Sequence, residues 1–586
     1  MLDLVYSTFK QWEPDRPFYL VLLLIFVPSF MVPMMRYQFA NIVTATLSTF
    51  SVYYSLIVLL AALYRLSPFH PLAKYPGPLS NKLSKLRMAW ESSKGKQHLC
   101  YSELHKIYGD IVRVGPNEVS ICDAKAIPDV LGVTGLPKGN AWKNRAPPGH
   151  ISPLIEIRDP VEHAQHRKPW ARALNSNSAK AFEPIIIDRV QELVKQLRLA
   201  SMGADVVDLA FWMRAFSFDF MGRMAFDTDF EFMKRGHDSE EIWPIFESGL
   251  RRGVELTTKW VGERVKRGSS IKDLFYHLLD EDAPESERPA LEAVASEGIL
   301  AVVAGSDTTS TTLTIVLYYL LRHPDKLKKL SAEIDLNFTK DEDAIEFTRL
   351  AEMQYLNACI NEALRLYSPV MSGSQRRVPP GGGPRMAGSC LLPEGTHVLV
   401  HTFSIHRDAR NFSNPDAFIP ERWLPDARPS DIVNHNNDAF IPFSFGPQNC
   451  VGKNVAILEL RAVVALIVQK FNFHTKGDAD LERWEEGIDD WFATACPALL
   501  AHLEQYRSLI DMLSRLDEDV VGWEPSSEAV VAEGALTAMA RFDNHFGGHL
   551  LLLPTKTNSS LRTFERRLTT IFPEMKKRSI SHSQLE

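Results

Sequence analysis

The sequence predicts a mainly α-helical protein with small β-sheets, preceded by an N-terminal transmembrane anchor. Three observations carry this. Two long uncharged apolar stretches lie near the N-terminus. Helical periodicity runs from about 159 to 330, returns at 351–367, and closes at about 452–469. Short alternating runs are confined to about 100–135 and to the Pro- and Gly-rich stretch 370–445. The chain has 586 residues, 45% hydrophobic and 23% charged, enough for a full core. Its formal charge of -7 and the lack of a basic stripe argue against nucleic acid as a partner.

Residues 1–17 precede the anchor, which spans 18–64. Phe18 to Met35 carries no charge, and neither does Tyr37 to Tyr64, between Arg36 and Arg65. Each approaches the roughly 20 apolar residues that cross a bilayer. Pro28 and Pro33 weaken the first, and several Ser and Thr weaken the second. A cleaved signal peptide would have a shorter apolar core and a small-residue cleavage site. A retained anchor of one or two helices is expected. Arg65, Lys74, Lys82, Lys85 and Arg87 follow it, which predicts a cytosolic main domain. Two spans would put the N-terminus on that same side; one would put it across.

Residues 65–80 form a stiff connector around KYPGPLS. The main domain is expected over 81–504. Within it, IVRVGPNEVSICD reads as two short strands. Asp159-Pro160 opens a helix, with Asp as N-cap and Pro at the first position. Residues 297–322 form a long apolar helix, and THVLVHTF a strand. Residues 505–586 are a C-terminal extension without a motif. The six cysteines are scattered, with no CxxC pair, as expected of reduced thiols on the cytosolic side of a membrane.

Four stretches carry chemistry. In FSFGPQNCVGKNVAILELRAVV, Phe443 to Val464, one cysteine lies between glycines just before a buried helix. Free N–H groups at the helix start favour a thiolate at Cys450. Gly446 permits a turn with positive φ, Gly452 lets a flat group approach, and Phe443 can pack beside it. The alternative is an inert buried cysteine. In AVVAGSDTTSTT, Ala301 to Thr312, Asp307 and Thr308 put an acid beside a hydroxyl, a pair able to relay protons. Gly and Thr there also invite a local kink. In NEALRLYSP, Glu362 and Arg365 share a helix face. Arg422 of FIPERW can join that carboxylate in a buried network; a solvated surface pair is the plainer reading.

These four stretches, in this order, resemble the haem-thiolate monooxygenases of the cytochrome P450 superfamily, most closely its fungal microsomal members. The resemblance covers about residues 70–500 and implies the cytochrome P450 fold after the anchor. It implies haem b (iron protoporphyrin IX) with Cys450 as the metal ligand, and Asp307 and Thr308 as catalytic residues. It implies Glu362, Arg365 and Arg422 as the structural network, and His163, Arg167 and Arg377 as partners of the haem propionates. Gln448 stands where the family usually carries Arg or His, which bears on haem retention. The implied partners are O2, an NADPH-cytochrome reductase, membrane lipid and a hydrophobic small molecule. The implied location is the endoplasmic reticulum membrane, with a cytosolic catalytic domain. The pocket would be lined by 132–152, about 211–250, Val303, Ala304 and Val370 to Ser374. Expected is insertion of one oxygen atom into a hydrophobic substrate, with terpenoid tailoring in fungal secondary metabolism leading. Fatty-acid or xenobiotic hydroxylation is the alternative. A haem-thiolate isomerase or dehydratase, or a non-catalytic haem-binding membrane protein, are readings of other classes.

Overall fold

The computed structural model describes residues 17–143, 145, 151–236, 250–269, 271–339, 342–475 and 481–504. The extension at 505–586, and parts of the loops expected at 132–152 and 211–250, lie outside the described residues. Two helices come first, α1 (Phe18–Gln38) and α2 (Ile42–Leu66), each long and apolar enough to cross a membrane. Asn41 caps α2, its side chain accepting from the Thr44 N–H at 2.8 Å.

The strands expected near 100–135 are β1 (Ile111–Gly115) and β2 (Glu118–Ile121), an antiparallel pair. The helical body follows, with α3 (Pro160–Leu174), α4 (Leu209–Phe226), α5 (Leu291–Arg322), α6 (Gln354–Leu366) and α7 (Lys453–Lys470). Asp159 caps α3, accepting from the N–H groups of Val161 and Glu162 at 3.0 and 2.9 Å. The short strands β3 (Arg376–Arg377) and β4 (His397–Val400) complete a four-stranded sheet in the order β1-β2-β4-β3. Helix α5 is the axis of the core. From Leu313 to Leu321 every residue is buried, and α4 packs along its first half.

Two expectations change in detail. The helix foreseen at 351–367 is two helices, Phe347–Glu352 and α6, broken at an extended Met353. The reason is capping from a distance. The Glu333 carboxylate accepts from the Tyr355 and Leu356 N–H groups at 2.7 and 2.8 Å, which fixes a new helix start. THVLVHTF is a strand only to Val400; Thr402–His406 turns helical. The Thr and Gly content of α5 opens no break: the helix runs on from Leu291 to Arg322 even though Thr308 bonds back to the Ala304 carbonyl at 2.7 Å and Thr312 to that of Thr308 at 2.9 Å.

Behind the sheet lies a set of buried histidines. His98 edges onto Phe403, and His105 stacks on His401 with ring centres 5.9 Å apart. Burial is the main cause that pushes His98, His397 and His406 down to about 3, and it takes His401 well below its usual range. Each is neutral in the fold and titrates near 6.5 when unfolded. The unfolded chain therefore binds more protons below that pH, and stability falls as pH drops from about 6.5 toward the folded values. The urea midpoint should be clearly lower at pH 5 than at pH 7.5; an equal midpoint would contradict neutral burial.

Candidate functional site

Cys450 sits on a turn built from backbone. Gly446 has φ 72°, and a Cβ there would lie 2.1 Å from the Leu131 carbonyl oxygen, so only glycine fits. The Asn449 N–H donates to Gly446 O at 3.1 Å, and the Cys450 N–H to Phe443 O at 2.9 Å. This fastens the cysteine back to Phe443, a half-buried ring with Lys453 Nζ 5.6 Å from its centre. A Cβ on Gly452 would lie 4.0 Å from the sulfur. By area Cys450 is exposed, yet protein surrounds it, as for a side chain opening into an internal cleft. Burial pushes its thiol up; the Gly452 and Lys453 N–H groups and the Arg167 charge pull it down without winning. The thiolate needs a further positive partner, which a bound metal ion supplies.

The loop is held from behind by a fully buried carboxylate. Glu362 Oε1 accepts from Arg365 Nη2 at 2.9 Å, Arg422 Nε at 2.9 Å and the Ile419 N–H at 3.0 Å. Its Oε2 accepts from Arg365 Nε and Trp423 Nε1, both at 2.9 Å. Arg365 also donates to the carbonyls of His406 (2.8 Å), Pro415 (2.6 Å) and Ala417 (3.0 Å), and Arg422 to that of Ser413 (2.8 Å). Despite its burial, the cations hold the Glu362 carboxyl below the usual carboxylate range. The Ile441 N–H donates to His406 Nε2 at 3.0 Å, so the proton sits on Nδ1, which donates to Arg365 O at 3.1 Å. The network thereby reaches the residues just before Phe443.

Beside the cysteine loop is a cavity of about 400 Å³ lined in part by Leu131, Leu136, His163, Arg167, Arg376 and Gln448. Arg167 spends two donors on Asn449, at 2.7 Å each to its carbonyl and its Oδ1. Arg376 donates to Gln448 Oε1, and its Nε is buried without a partner. Lys138 stands opposite Arg376 across a β-bridge, its buried Nζ donating to the Leu154 and Ile155 carbonyls at 3.2 and 2.6 Å. Burial, then the neighbouring cations, push Lys138 down to about 7 and His163 to about 4; burial alone takes Arg376 to about 10. A cluster of cations with an orphaned guanidinium N–H is built for an anion. It fits the two carboxylates of haem.

Arg377 does not join this group. It donates to Asn140 Oδ1 at 3.1 Å, while its neighbour Arg376 turns to Gln448. The reason is the two-residue period of β3, which sends adjacent side chains to opposite faces. Asp307 and Thr308 lie half-buried on α5 behind an exposed Ala304, while Ser306, Thr309 and Ser310 are buried. Gly305 lets Met221 of α4 approach closely; a Cβ there would meet its sulfur at 2.2 Å. Sequence reasoning missed Arg376, Lys138, Trp423 and His406. Arg376 adjoins Arg377, and Trp423 follows Arg422 directly.

The family model for cytochrome P450 matches residues 76–246 and 255–490, most of the chain. This chain is a cytochrome P450. The P450 monooxygenase nodW of Hypoxylon pulicicidum is 35% identical over 446 residues, covering 72% of this chain and 80% of that protein. The P450 monooxygenase ABA2 of Pyricularia oryzae is 32% identical, covering 73% and 90%. Tryprostatin B 6-hydroxylase of Aspergillus fumigatus is 29% identical, covering 74% and 80%. As a P450, the protein is an oxygen-dependent monooxygenase that works with haem, a substrate and a redox partner.

The placement of the two arginines makes a direct prediction. Arg376→Leu removes a buried cation from the cavity and should lower the haem-to-protein ratio of the purified chain several-fold. Arg377→Leu should leave that ratio near the parent's, as read by pyridine haemochrome absorbance.

Proposed function

We propose that this P450 is a membrane-anchored hydroxylase or epoxidase of a hydrophobic small molecule, using haem b and electrons from a separate NADPH-cytochrome reductase. The observation that carries this reading is the enclosed thiol of Cys450 on its backbone turn, and the half-buried Asp307–Thr308 step on α5 supports it. Cys450 would hold the iron. His163 and Arg376 would face the carboxylates of haem, with Arg167 tying Asn449 beside the ligand. When bound, haem supplies dioxygen activation; a thiolate ligand favours O–O cleavage.

The protein's part is proton handling and positioning. Thr308 Oγ1 keeps its hydrogen on the Ala304 carbonyl, leaving its oxygen lone pairs as acceptors. A proton arriving there is passed on by rotation of the hydroxyl. Asp307 on the same turn is the group able to replenish it. Ala304 and Gly305 keep this stretch low, so a substrate can lie beside it.

Fungal secondary metabolism, with a terpenoid or another apolar metabolite as substrate, is the favoured setting. The relatives support it: all three are fungal, and one is named for hydroxylating tryprostatin B. Helices α1 and α2, followed by Arg65, Lys74, Lys82, Lys85 and Arg87, support an anchor in the endoplasmic reticulum with the catalytic domain in the cytosol.

The test uses the full chain reconstituted with reductase. Cys450→Ser should abolish the thiolate signature of the reduced, carbon monoxide-bound spectrum and all turnover. Thr308→Ala should keep that spectrum while product formed per NADPH falls, by up to about 100-fold. A Cys450→Ser protein with the parent's spectrum and turnover would refute the reading.

A further inference from the structure

Helix α1 carries two backbone defects side by side. At Leu22–Phe26 it widens to π geometry, and the Val27 N–H is taken by the Leu22 carbonyl. Pro28 follows and has no N–H. The Leu23 carbonyl thus loses its donors both four and five residues on, and the Leu24 carbonyl loses the donor four residues on. In water such oxygens are simply hydrated. In hydrocarbon they must be satisfied by protein.

The structure fills both from the neighbouring helix. The Tyr53 hydroxyl donates to Leu23 O at 2.6 Å, and the Tyr54 hydroxyl to Leu24 O at 2.8 Å. The Ile25 carbonyl receives the Ser29 hydroxyl at 2.7 Å. Consecutive tyrosines on α2 therefore meet consecutive defective carbonyls on α1. Ala45, Thr49 and Tyr53, four residues apart, are buried on α2, and Pro28 and Val32 are the buried residues of the second half of α1. The Thr49 hydroxyl turns back to Ala45 O at 2.7 Å, so the contact face keeps no open donor there. Leu23 and Tyr53 lie at comparable depth from the connecting residues 39–41, so the helices run antiparallel.

The outer faces are apolar: Phe30 and Met34 are 76% and 77% exposed, and Val43, Leu47, Val58 and Leu63 also face outward. Arg36 is the sole charged residue between Phe18 and Tyr64. At 1.5 Å per residue, helices of 21 and 25 residues measure about 31 and about 37 Å, against a hydrocarbon core of about 30 Å. The chemistry that covers such a surface is lipid acyl chain.

We propose that α1 and α2 cross the bilayer together as a hairpin, with the Tyr53 and Tyr54 hydroxyls satisfying the proline-broken backbone of α1. Residues 1–17 then lie on the same side as the catalytic domain. This rests on the membrane-anchored reading of the protein and fixes its topology. The charge pattern agrees. In the sequence, Lys10 and Arg16 precede α1 and Arg65, Lys74 and Lys82 close or follow α2, against a lone Arg36 at the connector.

The test is the full-length chain in microsomes, bearing an N-terminal tag with an epitope and an Asn-x-Thr glycosylation acceptor. The chain should resist alkaline carbonate. The tag should stay unglycosylated and be removed by protease added outside intact vesicles. A glycosylated, protease-protected tag on a carbonate-resistant chain overturns the hairpin and leaves the anchor. A chain released by carbonate overturns the membrane reading itself. In Tyr53→Phe/Tyr54→Phe the glycosylated fraction should rise several-fold; no rise would remove the two hydroxyls from the explanation.

Discussion

The catalytic domain is organised by one carboxylate. Glu362 is buried with five donors on its two oxygens, from Arg365, Arg422, Trp423 and the backbone of Ile419. Each donor belongs to a different demand. Arg365 gathers carbonyls of residues 406, 415 and 417, and Arg422 adds those of 413 and 414. An irregular stretch with few backbone ladders thus closes its polar groups on two guanidinium forks. Assembling such a network in the interior gains little, because desolvation offsets the attraction. Removing one member costs about 3–5 kcal/mol, because the others stay buried and uncompensated. Its consequence is placement. Through His406 it takes the Ile441 N–H and so fixes where the cysteine turn begins.

The front of that turn follows the opposite rule. Arg167, Lys168 and Arg376 line the cavity beside His163, and no acid is among the lining residues described. Burial is the main cause that lowers Lys138, His163, Arg167 and Arg376, and neighbouring cations add to it at Lys138 and His163. His163, pushed to about 4, has shed its charge at neutral pH, and Lys138, pushed to about 7, holds its proton far less firmly than a surface lysine. The neutral Gln448 belongs to this balance. Its amide oxygen accepts from Arg376, where another cation would have added repulsion.

What the sequence revealed follows the range of each interaction. The helices, the first strand pair and the Asp159 cap were legible because periodicity and capping are local. Glu362 with Arg365 was legible as an i, i+3 pair, and Arg422 as a third member only because its motif accompanied the others. The break at Met353 was not, since its cause is Glu333, an element away. Arg377 was chosen over Arg376 because adjacent residues on a two-residue strand differ only in face, and the face is set by pairing with residues 137–139. Lys138 stands in a loop with no motif around it. Its burial depends on carbonyls at Leu154 and Ile155, which no local pattern announces.

Among the described residues three helices are long and apolar enough to cross a membrane, and polar satisfaction separates them. In α5, 61% of the most apolar window is buried, against 11% in α1 and in α2. Three threonine hydroxyls of α5 are met within its own turns, as Thr308, Thr312 and Thr314 bond back to carbonyls four residues earlier, while Thr311 donates to the Thr494 carbonyl at 2.8 Å. Glycine lets Met221 of α4 close on it, and it keeps an acid at Asp307, a residue expensive in lipid. The defects of α1 are of another kind: carbonyls opened by a π turn and a proline, met only from α2. A helix that closes its own backbone carbonyls can be packed by neighbours that bring no donor to them. One that cannot is committed to the partner that carries the missing donors, and here that partner is adjacent in sequence, tied by residues 39–41.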